Sequence, residues 1–236
     1  MYEFIVSEHL EFDRSQSTCE CQCEYDVEYY DIGLYRKYNI EIPQSIISAS
    51  QKRQAEFLAG RYAAIAALNA MGVYTNQIPI SENRSPIWPI GIKGSIAHTD
   101  SKAITIVSNS VFLTEIGVDM EPWISKQVSK EISEEILTPD EHELLHTFDY
   151  PFERLLTVCF SAKESVYKAI FGQIKWVTSF KQLETVSITL GEKGMIKIIL
   201  SEDIVSKLPQ KKEYLCTYSN QKNETITRLI SPCDRI

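Results

Sequence analysis

One order recurs along this chain and limits its architecture: a long helical segment followed by strands. The first helix reads from Gln51 to Met71, where Leu58, Tyr62, Ile65 and Leu68 recur at helical spacing, alanine is abundant and Gly72 ends the run. Strands follow across residues 95–108. The second helix covers residues 152–171, with a break expected at Phe160 and Ser161, and is followed by Val186–Leu190 and Met195–Leu200, joined as a hairpin by Gly191-Glu-Lys-Gly194. No sequence repeat accompanies this repeated order. The expectation is an α+β chain of two similar halves, with residues 1–112 in one and 113–236 in the other. A cleft between such halves is a natural ligand site.

Shorter signals occupy the remaining segments. Phe4, Ile5 and Val6 predict a short strand, and residues 11–31 are acidic and tyrosine-rich. Residues 73–95 form a connection punctuated by Pro79, Pro86, Pro89, Gly91 and Gly94. Thr114–Glu121 is a strand, and Tyr214–Tyr218 is the last one expected. Thr138-Pro-Asp-Glu141 has the form of a helix start: a capping threonine, proline at the first position and a carboxylate at the third.

Composition excludes several classes. The formal net charge of −8 argues against nucleic-acid binding, which needs a basic surface, so attraction to an acidic ligand must come from a local basic patch. No apolar run reaches the roughly 18 residues of a membrane span, and the acidic start, Met1-Tyr-Glu-Phe4, is unlike a secretory signal; a cytoplasmic protein is expected. Cys19, Cys21 and Cys23 share one face if they lie on a strand. No histidine or second cysteine pair stands at zinc-site spacing, so they are read as reduced, non-ligand thiols.

Two stretches carry chemistry. In Ile116-Gly-Val-Asp-Met-Glu121 the alternation of a strand puts Asp119 and Glu121 on one face. Adjacent carboxylates repel unless a cation lies between them, and Mg²⁺ takes one or two carboxylates together with water and phosphate oxygens. Phe160-Ser-Ala-Lys-Glu-Ser-Val-Tyr-Lys168 offers a third carboxylate, Glu164, with Lys163 and Lys168. Each has a structural reading beside the functional one. Ser161 and Glu164 match a capping box, Glu164 and Lys168 match a helical ion pair, and Glu141 matches the helix start above. Arg53 and Arg61, about two turns apart on the first helix, and Arg84 suit phosphate through their paired donors. His98, in a Gly-Ser-x-x-His-Thr segment, is either a satisfied histidine or a phosphate donor.

Five segments, in order, resemble the 4′-phosphopantetheinyl transferases of the surfactin and enterobactin (siderophore synthase) type. They are Lys52-Arg-Gln-Ala-Glu-Phe-Leu-Ala-Gly-Arg61, Arg84-Ser-Pro-Ile-Trp-Pro89, Gly94-Ser-Ile-Ala-His-Thr99, Ile116-Gly-Val-Asp-Met-Glu121 and Phe160-Ser-Ala-Lys-Glu-Ser-Val-Tyr-Lys168. The resemblance covers residues 43–172. It implies a pseudo-dimer of two α+β halves, each a long helix packed on a small antiparallel sheet, with coenzyme A bound in the cleft. It implies transfer of the phosphopantetheine arm to a serine of an acyl or peptidyl carrier protein domain, with release of adenosine 3′,5′-bisphosphate. On that basis Asp119, Glu121 and Glu164 hold Mg²⁺, while Lys168, with Lys163, neutralises the leaving phosphate. His98 contacts the diphosphate, and Arg53, Arg61 and Arg84 hold the 3′-phosphate and adenine end. The base is Glu164, directly or through a metal-bound water, or Glu141. The family often has serine before the histidine; Ala97 stands there and removes one hydroxyl contact.

Two rival readings use the same residues: a metal-dependent phosphoesterase, for which Asp-x-Glu with a distant glutamate also serves, and a non-catalytic module binding coenzyme A or a carrier protein. The acidic net charge weighs against a nucleic-acid substrate, and no acid of the set nor Lys168 is missing, as a degenerate module would predict. A pseudo-dimeric chain is expected to work as a monomer.

Overall fold

The computed structural model describes residues 3–171, 179–206 and 212–233 and resolves the chain into two units, 1–113 and 114–236. In unit 1 the weakly patterned start forms two long antiparallel strands, β1 (Ile5–Asp13) and β2 (Thr18–Tyr25), followed by the short helices α1 (Leu34–Lys37) and α2 (Gln44–Ile47). The long helix α3 (Gln51–Ala70) follows, then β3 (Lys93–His98) and β4 (Lys102–Ser108). The sheet order is β1-β2-β4-β3, antiparallel throughout. Ser50 caps α3 by accepting the Arg53 N–H, and Gly72 adopts φ +78° just beyond its end.

The cysteine alternation explains how this sheet meets its helix. Cys19, Cys21 and Cys23 are all buried on β2, and the Cys23 thiol donates to the Ala59 carbonyl on α3. Opposite them, Ala55, Ala59, Ala63 and Ala67 are buried, so the alanine-rich face lets the helix approach closely. Burial pushes the Cys23 thiol up to about 12. These are protonated core thiols.

Unit 2 repeats the theme with more elements. Its order is β5 (Leu113–Pro122), α4 (Lys126–Ile136), α5 (Pro139–His146), α6 (Phe152–Ile170), β6 (Leu183–Ile188), β7 (Lys193–Leu200), α7 (Glu202–Val205), β8 (Glu213–Asn220) and β9 (Glu224–Pro232). The sheet order is β5-β9-β8-β7-β6. The expected hairpin is β6–β7, and the last strand is β9 rather than β8. The core is built from α6 residues Leu155, Leu156, Cys159, Ala162 and Val166 against Ile196, Ile198, Tyr214 and Leu229 of the sheet.

Helix α6 has no break at Phe160 and Ser161. The Ser161 and Ser165 hydroxyls both engage Thr227 on β9, at 2.9 and 2.7 Å. With its polar demand met by the sheet, Ser161 sits inside the helix, and the capping box expected for Glu164 is not formed. Close approach on this flank has a second cause. A Cβ on Gly117 of β5 would stand 1.9 Å from the Ser165 carbonyl oxygen, so only glycine lets the strand lie against the helix there.

Candidate active site

Unit 1 gathers its basic residues around one cavity of about 360 Å³, lined by Ser45, Arg53, Glu56, Arg61, Arg84 and His98 among others. Arg53 comes from the first turn of α3 and Arg61 from two turns later. His98 ends β3, and Arg84 comes from the connecting loop. The Arg53 Nη1 donates to Glu56 Oε2 at 3.0 Å and to His98 Nε2 at 2.8 Å. A guanidinium has no acceptor, so this hydrogen bond assigns Nε2 as the accepting nitrogen and puts the ring proton on Nδ1, 3.9 Å from Glu56 Oε2. Glu56 was absent from the sequence-based set; its position three residues after Arg53 on a helix was the available signal.

Arg61 is only 6% exposed. Its Nε donates to the Ile78 carbonyl at 2.9 Å, and its guanidinium lies 4.4 Å from the Phe57 ring centre. Burial, with Arg53 adding to it, brings its pKa down to about 10, so it remains a cation at neutral pH. Arg84 takes a left-handed backbone, φ +67°, that β-carbon-bearing residues seldom adopt. A small clasp holds it there: the Ser81 N–H donates to the Ser85 carbonyl at 2.8 Å, the Arg84 N–H donates to the Ser81 carbonyl at 2.9 Å, and the two serine hydroxyls meet at 2.8 Å. Three arginines and one carboxylate therefore line the same cavity in a chain that is acidic as a whole, which is the local basic patch an anion needs. Ala97 is buried and pairs with Ile104, on the opposite face of β3 from His98, so position 97 does not line this cavity.

Unit 2 gathers its acids where β5 passes α6. Val118 and Met120 are buried on one face of β5, which turns Asp119 and Glu121 to the other. Asp119 is 3% exposed. Its Oδ1 accepts from Lys168 Nζ at 2.6 Å, while its Oδ2 is buried with no hydrogen-bond partner among the described residues. Lys168 also donates to the Val118 carbonyl at 3.4 Å. Glu121 is pushed up to about 8, first by burial and then by Asp119, with Glu164 adding and Lys168 opposing. Burial also raises Glu164; Lys168 pulls it down and Asp119 pushes it further up. Asp119, Glu121, Glu164 and Lys168 thus share one electrostatic neighbourhood.

These groups fit a hard divalent cation by their chemistry. An orphaned, buried carboxylate oxygen and two carboxyls displaced toward neutrality are the signature of oxygen donors lacking positive charge. Among the described residues, no three His, Cys, Asp or Glu side chains are spaced to hold a metal as they stand. The acids lie near one another without closing on one point.

The pH consequence has a definite sign. Raising the Glu121 pKa above the ordinary carboxylate value means the folded protein holds a proton that the unfolded chain has released. Without divalent cation, stability should therefore fall as pH rises from about 4.5 toward 8 and level off above. Glu121→Gln should flatten that part of a melting-temperature-against-pH curve; an unchanged slope would assign the effect elsewhere.

Glu141 and Lys163, expected at the reacting centre, are instead enclosed in unit 2, both with side chains 0% exposed. Glu141 completes the capping box of α5, accepting the Thr138 N–H at 2.8 Å. It also accepts from Lys163 Nζ at 2.7 Å and from the Thr185 N–H at 2.7 Å, which occupies both its oxygens. Lys163 gives a further hydrogen bond to the Ile136 carbonyl at 2.7 Å. Burial lowers the Lys163 pKa, and Glu141 opposes that shift.

Comparison with known proteins covers both groups. Residues 43–108 match the family model for the 4′-phosphopantetheinyl transferase N-terminal domain, and residues 115–219 match that for the 4′-phosphopantetheinyl transferase superfamily. Enterobactin synthase component D of Salmonella typhimurium is 39% identical over 164 residues, 68% of this chain and 67% of that protein. The Salmonella typhi protein of the same name is 42% identical over 128 residues, 54% of this chain and 52% of the relative. 4′-Phosphopantetheinyl transferase Npt of Nocardia iowensis is 33% identical over 126 residues, 52% of this chain and 54% of its own. The chain thus spans about half to two thirds of the length of these curated relatives. A holo-[acyl-carrier-protein] synthase structure from Neisseria meningitidis aligns with 50% of this chain and 98% of its own, at 18% identity and a TM-score of 0.40.

Proposed function

The chain belongs to the 4′-phosphopantetheinyl transferase superfamily, and from that premise we propose that it moves the phosphopantetheine arm of coenzyme A onto a serine of an acyl or peptidyl carrier domain. The observation that carries this reading is the acid cluster of unit 2, with Lys168 bound to Asp119 beside Glu121 and Glu164, inside the stretch matched by the superfamily model. Asp119, Glu121 and Glu164 are the residues to hold Mg²⁺. The cation, when bound, supplies positive charge at the diphosphate oxygens.

The carrier serine oxygen forms a bond to the phosphorus that bears the pantetheine arm, and the bond from that phosphorus to the bridging oxygen breaks. The serine proton passes to the Glu164 carboxylate, directly or through a water. Adenosine 3′,5′-bisphosphate leaves with the bridging oxygen, whose growing charge Lys168 neutralises. The cavity of unit 1, lined by Arg53, Arg61, Arg84 and His98, offers donors suited to phosphate groups such as coenzyme A carries.

The relatives named enterobactin synthase component D make carrier domains of siderophore and nonribosomal-peptide assembly the first substrates to try. No described helix is long and apolar enough to cross a membrane, and a monomeric enzyme working in the cytoplasm is part of the proposal. The test is the intact mass of an apo carrier domain after incubation with the protein, coenzyme A and Mg²⁺. A gain of one phosphopantetheine that EDTA abolishes is expected. Coenzyme A binding with no gain on any carrier would overturn the transfer reading.

A further inference from the structure

Glu141 and Lys163 are charged, enclosed and unused in the scheme above, yet they tie together four elements. Lys163 belongs to α6, Glu141 to the first turn of α5, the Ile136 carbonyl to the end of α4 and the Thr185 N–H to β6. Replacing a buried ion pair by apolar side chains is often neutral or stabilising, so stability alone gives little reason for this one.

Its directionality gives a better reason. The other core contacts of α6 on this side come from Leu156, Cys159, Val166 and Ile170, and dispersion contacts between such chains constrain separation far more than rotation. A charge-assisted hydrogen bond at 2.7 Å to a carboxylate itself anchored by two backbone N–H groups constrains both. Ser161 and Ser165 lie two residues either side of Lys163, about 200° round the helix, where they bond Thr227. The helix is therefore pinned on opposite flanks. Glu164 follows Lys163 directly, at a fixed turn of about 100°, and Lys168 comes about one turn after Glu164.

We propose that Lys163–Glu141 is a positioning pair that sets the rotation of α6, so that Glu164 and Lys168 face Asp119 across β5. Glu141 then acts through Lys163 and not on the carrier hydroxyl. The inference rests on the divalent-cation reading of the acid cluster, and its test keeps the two separable.

The test compares the full wild-type chain with the double variant Glu141→Gln/Lys163→Met, which removes both buried charges together. Mn²⁺ alone is titrated by water-proton relaxation, urea unfolding reports stability, and carrier modification is followed against Mg²⁺ concentration. The expected result is an unfolding midpoint close to wild type, an Mn²⁺ Kd raised at least fivefold, a half-saturating Mg²⁺ concentration raised by a similar factor, and kcat at saturating Mg²⁺ lowered by less than tenfold, because the bound cation restores part of the placement of Glu164 and Lys168. Wild-type Mn²⁺ affinity with kcat reduced a hundredfold would place Glu141 on the reacting atoms and overturn the proposal. Wild-type behaviour in every readout would reduce the pair to core filler. If the double variant does not fold, Glu141→Asp keeps charge and cap but shortens the reach to Lys163; its Mn²⁺ Kd should rise at least threefold, and an unchanged Kd overturns the proposal. A wild-type protein that fails to bind Mn²⁺ would overturn the cation reading first, and this inference with it.

Discussion

Asp119→Ala is expected to lower carrier modification by a factor on the order of 10³ while leaving the fold in place. The side chain is one of the three acids proposed to hold the cation and the direct partner of Lys168, so its loss strips the reacting diphosphate of charge compensation from two directions. The structural cost is small by comparison. The lost Lys168 hydrogen bond is worth about 1.5–3 kcal/mol, and relief of the repulsion that Asp119 exerts on Glu121 and Glu164 offsets part of it. Removing Oδ2, a buried acceptor with no partner among the described residues, offsets part of that. A melting temperature near wild type with transfer abolished in the mass assay is the outcome that fits. Full activity in this variant would remove Asp119 from the metal set and sink the reading of unit 2 as the reacting end.

Gly117→Ala is expected to have the largest effect on stability. The added methyl would stand 1.9 Å from the Ser165 carbonyl oxygen and 3.1 Å from the Ala169 methyl. The nearer obstacle is helix backbone, which cannot swing aside as a side-chain tip can. Either β5 or α6 must shift, and the serine bonds to Thr227 resist movement of the helix. Overpacking of this kind costs about 3 kcal/mol or more, which corresponds to a melting temperature lower by roughly 10 °C. The change lies two residues from Asp119, so transfer should fall with it even where unit 2 remains folded. Thermal and urea unfolding would check this, and a variant as stable as wild type would contradict the close strand-to-helix contact.

Much of the fold was legible because it follows local rules. The helical spacing of Leu58, Tyr62, Ile65 and Leu68 marks α3 and Gly72 its end, Thr138 and Glu141 mark the start of α5, and alternation marks β5 and the shared face of Cys19, Cys21 and Cys23 on β2. What misled was also local. Ser161 and Glu164 have the spacing of a capping box, and Ser161 therefore looked like the start of a new helix. Thr227, more than sixty residues later, supplies the partner that lets Ser161 stay within α6. The length of β1 and the existence of β9 were hidden for a similar reason: edge and late strands take their definition from neighbours distant in the chain.

The candidate site divides along the same line. Residue identity and local periodicity supply the inventory: which side chains are carboxylates, ammoniums and guanidiniums, and that strand and helix periods set Asp119 with Glu121 and Glu164 with Lys168. Their company comes from long-range packing. It brought Arg53, Arg61, Arg84 and His98 to one cavity and added Glu56 to them, and it laid Lys168 on Asp119. It also drew Lys163 and Glu141 inward as a pair. Neighbouring helical residues differ only in direction, and no local pattern states that Lys163 turns to the core while Glu164 turns to the acids. Burial decides it, because an enclosed ammonium must find a fixed carboxylate, and Glu141 is the one that the chain folds into reach.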